Sequence, residues 1–453
     1  MRLSSANLDR LPPDVAKFGY DRTEQAVGIV HFGIGAFHRA HQAWYTDAAM
    51  DTGDRDWAIT GVSLRSPDVA AQLGPQHGLY TVTERSAAGF FSRLVGAVHE
   101  VLVAATQSTA VVTALAAPAT RIVSFTVTEK GYCRASDGSL DYDLAEAGSF
   151  YAPLAAALRR RHDVGLAGLT LLSCDNLADN GRQIERLMRE YLDRHDPALA
   201  RWFDAECSCP STMVDRIVPA TTDADRAQLA ERIGLDDQAA VMTEPFSQWV
   251  IEDRFAGPRP RWEAVGAQLV SNVQPYETAK LRMLNGAHSA LAYFGLARGH
   301  SFVHQAVADP VLRPLVETLL RTEAAPTIDP AHGLELNAYA SALLDRFANP
   351  ALQHRLIQIA MDGSQKVPQR WLETLSIQQQ RGQQCPAILA AIAAWVLHLR
   401  GKNGPVDDPR AAELAAAAGG SNAVDRLFGK AGLFASHWVP DGADRAEIDR
   451  HLA

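Results

Sequence analysis

Five cysteines in 453 residues, Cys133, Cys174, Cys207, Cys209 and Cys385, are too few and too scattered for a disulfide framework. Cys207 and Cys209 have one residue between them, a spacing that fits neither a CxxC redox pair nor the usual zinc knuckle, so unligated thiols are expected. Long hydrophobic runs are missing as well. The longest, residues 387–397, falls short of the roughly 20 residues that span a bilayer. Residues 1–22 contain no apolar stretch of the kind a secretory signal needs, so the expected location is the reducing cytoplasm. Basic tracts are absent. The 43 Lys and Arg residues face 52 Asp and Glu, a net charge of −9, which leaves no electrostatic footprint for nucleic acid or an anionic membrane.

What remains is ordinary globular material, 47% hydrophobic and 21% charged, which excludes global disorder. At about 150 residues per domain the length predicts two or three domains. In the first half, short β-branched runs alternate with helical patterns. Strands are predicted at residues 27–32, 57–63, 121–127 and 168–173, and helices at 38–50 and 154–161. Such alternation predicts a parallel sheet covered on both faces. After about residue 275 the patterns become helical, over 275–296, 309–323, 334–347 and 387–400, with no convincing β run. The expected fold is therefore α/β. A Rossmann-like, doubly wound domain over residues 1–275 precedes a mainly α-helical domain over 276–453.

Three stretches carry chemistry. The first is Gly33, Ile34, Gly35, Ala36 and Phe37, directly after the first strand. Glycines there allow a tight turn and a close main-chain approach to a diphosphate, with helix amides behind it. The third glycine of GxGxxG is replaced by His38. His38 and His41 are spaced for a metal, but nothing in the sequence completes a coordination shell, so capping or phosphate-side contacts are expected. The second stretch, SCDN at 173–176, closes a predicted strand at the edge where open α/β sheets bind ligands, although a plain turn or helix cap fits equally. The third is KLRMLNGAH at 280–288. At about 100° per residue, Asn285 and His288 lie about 140° and 80° around the helix from Lys280, so an amine, an amide and an imidazole share one broad face. A lysine desolvated by the neighbouring Leu and Met side chains suits general acid/base work, while a Schiff base to a carbonyl substrate stays open.

With these residues in place, the chain resembles the polyol-specific long-chain dehydrogenases, or mannitol dehydrogenase family, over nearly its whole length. The matching stretches are GIGAFHRAHQ (33–42), TEKGY (128–132), SCDN (173–176), MVDR (213–216), EPFSQWVIED (244–253) and KLRMLNGAH (280–288). The resemblance implies an N-terminal dinucleotide-binding domain, a C-terminal helical substrate domain, NAD as cofactor, and metal-independent hydride transfer at a secondary alcohol. It also implies Lys280 as catalytic acid/base, Asn176 and Asn285 as the amides bracketing the reacting oxygen, His288 as the histidine orienting the substrate, and Asp215 as a contact to substrate hydroxyls. Within the family, LNAY (336–339), RFANP (346–350) and QIAMDGSQKVPQR (358–370) lean towards the fructuronate reductase (D-mannonate oxidoreductase) branch, with mannitol 2-dehydrogenase as the alternative. The chain is shorter than usual for that branch and Ala-rich after about residue 380.

Two expectations follow for specificity. Arg65 and Asp68, after the second strand, should lie near the adenine ribose, where Asp68 would favour NAD over NADP, whereas Arg65 could instead welcome a 2′-phosphate. Lys366 and Arg370 should meet a substrate carboxylate, turned inward by a bend at Pro368. The expected partner is a small sugar, polyol or uronate, bound by a monomer or weak oligomer. Two other classes compete with the dehydrogenase: a lysine-dependent aldolase acting through Lys280, and a catalytically silent nucleotide- or sugar-binding protein.

Overall fold

Alternation of side chains across two cores builds the sheet that positions the first half of the site. Five strands, β1 (Val27–Phe32), β2 (Ala58–Ser63), β3 (Val98–Val103), β4 (Ile122–Phe125) and β5 (Thr170–Ser173), run parallel in the order β3-β2-β1-β4-β5. Val30, Val123 and Leu171 pack with Val111, Leu115, Leu154 and Leu158 on one face, whereas Ile29, Ile122 and Leu172 pack with Ala43, Ala49 and Met50 on the other. Consecutive strand residues thus enter opposite cores, which is why these strands are apolar throughout rather than alternating. After β3 the chain passes through helix Ala104–Ala116 and re-enters the sheet beyond β1 as β4. That reversal makes the C-terminal ends of β1 and β4 the topological switch point, the place where open α/β sheets bind ligands.

The computed structural model describes all 453 residues and divides into two compact units, Met1–Val273 and Gln274–Ala453. The first contains strands that the hydrophobic pattern alone did not mark. Tyr80–Ser86 and Gly89–Val95 form an antiparallel hairpin in a four-stranded sheet completed by Val15–Ala16 and Val241–Thr243. Thr212–Asp215, Gln248–Glu252 and Gln268–Val270 form a separate three-stranded sheet. The helix expected over 38–50 is two helices, Ala36–Ala40 and Gln42–Asp51, broken at His41, where φ is −122° and ψ −90°.

The second unit is helical, with a core that includes Met283, Leu291, Tyr293, Trp371, Ile392 and Trp395. The single helix expected over 275–296 is instead Gln274–Ala279, a π-helical segment Lys280–Asn285, and Gly286–Ala297. The prediction over 309–323 divides in the same manner, into Leu312–Thr318 and the π segment Leu319–Ala324. At Pro368 the chain stays helical, with φ −54° and ψ −51°, and the proline opens a third π segment, Pro368–Leu372. The local effect of Pro368 is thus a widened turn, not the expected bend. No helix is long and apolar enough to cross a membrane.

Candidate active site

At the end of β1 the two glycines do different work. Gly33 has φ +94°, and a Cβ there would lie 2.1 Å from the Thr126 carbonyl oxygen, so the fold itself excludes any side chain. A Cβ at Gly35 would meet only the Gly33 carbonyl oxygen, at 3.8 Å. Gly35 is exposed and immediately precedes helix Ala36–Ala40. Nothing in the protein's own packing needs that position bare, whereas a diphosphate lying against main chain does. Ile34 turns inward, since a Cβ at Gly61 would sit 2.7 Å from its Cδ1, which leaves Ile34 only main chain to offer a ligand. Ala36 and Phe37 open the helix, and the Phe37 ring stacks on His41 at 5.1 Å. Arg65 and Asp68 are both exposed beyond the end of β2, the strand beside β1, and Asp68 begins helix Asp68–Leu73. A bare main chain before a helix and an exposed acidic residue after the neighbouring strand are the features that a dinucleotide's diphosphate and ribose call for, so the residues present fit that cofactor.

His38 and His41 do not face a phosphate. His38 is fully buried, with its ring stacked 3.4 Å from that of His31, and burial holds its pKa well below the usual range. His41 is buried too, its Nε2 lying 2.9 Å from the Gln248 carbonyl oxygen. Both are core histidines, which corrects the expectation of phosphate-side contacts. All five cysteines are free.

The SCDN stretch closes β5. Asp175 is buried, and its carboxylate accepts hydrogen bonds from the main-chain N–H groups of Val127 (3.1 Å) and Thr128 (2.7 Å) and from the Tyr132 hydroxyl (2.9 Å). Burial raises its pKa to about 6 against the lowering effect of these donors. The turn-or-site ambiguity thus resolves for Asp175 itself: it braces a loop. Asn176, the next residue, is exposed at the C-terminal end of the sheet. Asp215 is the buried last residue of strand Thr212–Asp215. Arg216, which sequence reasoning passed over, is also buried. Its guanidinium donates to the Ala40 carbonyl oxygen (2.6 Å) and pairs with Glu84 (2.6 Å), tying the strand that carries Asp215 to the helix after the glycine turn. Its place beside Asp215 in MVDR was the available signal.

In the helical unit, the π turn alters the arrangement expected of a regular helix. Hydrogen bonds in a π turn close from i to i+5, so Asn285 sits one turn along from Lys280 rather than about 140° around the axis. Both are half-buried. His288, one turn further, is buried, with its ring 4.6 Å from Phe347 and 5.3 Å from His354. Its Nε2 has no hydrogen-bond partner in the protein, and burial, with the nearby His354, Arg346 and Arg370, pushes its pKa well down, so the ring is neutral. Arg370 comes to the same turn. It donates to the Asn285 carbonyl oxygen (3.2 Å) and the Ser289 hydroxyl (2.7 Å), while Trp371 Nε1 donates to the Gly286 carbonyl oxygen (3.1 Å). Burial lowers the Arg370 pKa to about 10. Lys366 is committed elsewhere: its ammonium donates to the carbonyl oxygens of Ile359 (3.3 Å) and Met361 (2.5 Å). Lys280, Asn285, His288 and Arg370 are therefore brought together on one helix and its neighbour.

Comparison with known proteins agrees with both halves. Residues 27–264 match the mannitol dehydrogenase Rossmann domain, and residues 272–442 the mannitol dehydrogenase C-terminal domain. The chain is 40% identical to D-mannonate oxidoreductase of Escherichia coli strain K12 over 453 residues, covering 95% of this chain and 93% of that protein. It is 43% identical over 411 residues to the oxidoreductase YeiQ of the same organism, covering 88% and 83%. The solved structure of Pseudomonas fluorescens mannitol 2-dehydrogenase, a ternary complex with NAD and D-mannitol, superimposes with a TM-score of 0.83. It is 36% identical and covers 100% of this chain and 96% of that one. With both of its domains matched over most of their length, the chain belongs to the mannitol dehydrogenase family of oxidoreductases that act on CH–OH groups.

Proposed function

We propose that the protein is an NAD-dependent, metal-independent reductase that interconverts D-fructuronate and D-mannonate, with residues 1–275 binding the dinucleotide and 276–453 the sugar acid. The observation that carries this reading is the π turn. It stacks Lys280 and Asn285 and has against it a half-buried guanidinium, Arg370, that pairs with no carboxylate of the chain. Partial desolvation of a cation without a counter-charge is costly, and a carboxylate on the substrate supplies one. Reading the lysine as acid/base rather than as a Schiff-base former follows from membership of a family that acts on CH–OH groups, and that membership speaks against the aldolase alternative.

NAD(H), when bound, would supply the hydride acceptor for oxidation of the alcohol carbon and the hydride donor for reduction of the ketone. Lys280 Nζ takes the hydroxyl proton as the alcohol is oxidised and gives it back to the oxygen in reduction. The side-chain amides of Asn285 and Asn176 donate to that oxygen as negative charge develops, so proton and charge are both handled without a Lewis acid. Neutral His288 offers Nε2 to a substrate hydroxyl, and Asp215 accepts from another. Asp68 accepts from the adenine ribose and disfavours a 2′-phosphate. A mannitol 2-dehydrogenase reading is favoured by one observation, the likeness to a structure solved with NAD and D-mannitol. In it, Arg370 would meet neutral hydroxyls.

Lys280→Ala tests the assignment. Turnover should fall by roughly 10²–10⁴ while NAD binding, measured by calorimetry, is kept. Turnover within a few-fold of the unaltered protein would remove Lys280 from the mechanism.

A further inference from the structure

Thr128 is a β-branched residue held at φ +64°, a left-handed conformation that such residues rarely adopt. It opens the short helix Thr128–Gly131, directly after β4 at the switch point. On one side the segment is stitched to the glycine turn. Thr126 donates its hydroxyl to the Gly33 carbonyl oxygen (2.7 Å), His31 Nε2 lies 2.8 Å from that hydroxyl, and the Thr126 N–H donates to the Phe32 carbonyl oxygen (2.9 Å). On the other side stands Asp175. One carboxylate oxygen takes the Thr128 N–H, and the second takes both the Val127 N–H and the Tyr132 hydroxyl, itself in contact with Ser173.

We infer that Asp175 is a positioning residue whose carboxylate holds Thr128 in its strained conformation and thereby fixes the cofactor-facing turn between β1 and β4. The inference rests on the dinucleotide-binding reading of this sheet. Its physical logic is local. The N–H groups of Val127 and Thr128 converge on one carboxylate because Val127 between them is near-helical (φ −100°, ψ 3°), and the left-handed Thr128 that follows completes the turn and stores strain which the charge-assisted hydrogen bonds must offset. The same carboxylate belongs to the residue before Asn176, so one group sets the ends of β4 and β5 together. An amide at position 175 puts an NH2 donor where one of the two carboxylate oxygens accepts, so a donor loses its acceptor and the turn relaxes. Glu129 is the other charged group whose field reaches Asp175, and it acts with burial to raise its pKa to about 6.

The test uses the full chain with Asp175→Asn, Thr128→Gly and the double variant, each read in two ways. In hydrogen exchange without cofactor, the amides of residues 127–132 should exchange roughly tenfold faster in Asp175→Asn, and distant segments should be unchanged. In calorimetry, Asp175→Asn should weaken NAD binding by roughly tenfold or more. Thr128→Gly in the same chain should recover most of that loss, because glycine reaches positive φ unaided. A merely structural aspartate would not be rescued by a glycine at position 128. Unchanged exchange in Asp175→Asn, or a double variant that binds NAD no better than Asp175→Asn, would overturn the inference. If the unaltered protein binds no NAD, the dinucleotide reading fails while the exchange experiment still decides the brace. If Asp175→Asn does not fold, Thr128→Gly should melt higher than Thr128→Ala, which keeps the strain, and equal melting temperatures would count against the proposal.

Discussion

At the residue scale, what could be read in advance was what main-chain geometry demands of residue type. Gly33 and Gly35 were legible because only glycine permits a positive φ or a bare approach. The left-handed turn at Thr128 was not, because a threonine there contradicts local preference and its N–H is bonded to Asp175, 47 residues away. His38 and His41 misled for the opposite reason. Their spacing carries no sign of which way a helix faces, and the structure turns both inward. The same distinction separates the two cations of the 358–370 stretch. Arg370 reaches the helix of Asn285, whereas Lys366 is spent on the carbonyl oxygens of Ile359 and Met361. Arg370→Ala should therefore lower kcat/KM for fructuronate by roughly 30- to 100-fold, about 2–3 kcal/mol, with a several-fold smaller effect on fructose. Lys366→Ala should affect both substrates alike, through stability. Equal losses on the two sugars in Arg370→Ala would deny it a carboxylate-binding role.

At the element scale, strands and helices with a strong period were found close to their expected bounds. The helix expected over 387–400 is Pro386–Leu399, and the one over 334–347 is Leu336–Phe347. The π segments were hidden, since one extra residue per turn leaves the apolar pattern almost intact while it re-aims the polar side chains. One of them, Leu319–Ala324, places Glu323 in the core, where its carboxylate accepts from the N–H groups of Ala387 (2.8 Å) and Ile388 (2.9 Å) at the start of helix Pro386–Leu399. Burial outweighs these donors and raises its pKa from 4.5 to about 7. The folded protein thus binds the proton more tightly than the unfolded chain does. Stability from this group is greatest below pH 4.5 and declines as pH rises to 7, by about 3 kcal/mol in all. Glu323→Gln should flatten that part of the stability profile in urea unfolding followed from pH 5 to about 8. A variant profile parallel to the original would show that the burial cost is not borne there.

At the scale of the whole molecule, the change from alternating to purely helical pattern near residue 275 was plain in the sequence, and the structure divides between Val273 and Gln274. The three-stranded sheet that ends in Asp215 was not anticipated, because strands of three to five residues are too short to show a period. Family membership fixes the class of reaction, and on the proposed reading the choice of substrate turns on the Arg370 charge. The most direct measurement is the nicotinamide absorbance change when the unaltered protein is given NADH with D-fructuronate or with D-fructose. The account predicts kcat/KM at least about tenfold higher for fructuronate, because only that sugar answers the Arg370 cation. Equal or greater efficiency with fructose would contradict it and make the protein a mannitol 2-dehydrogenase.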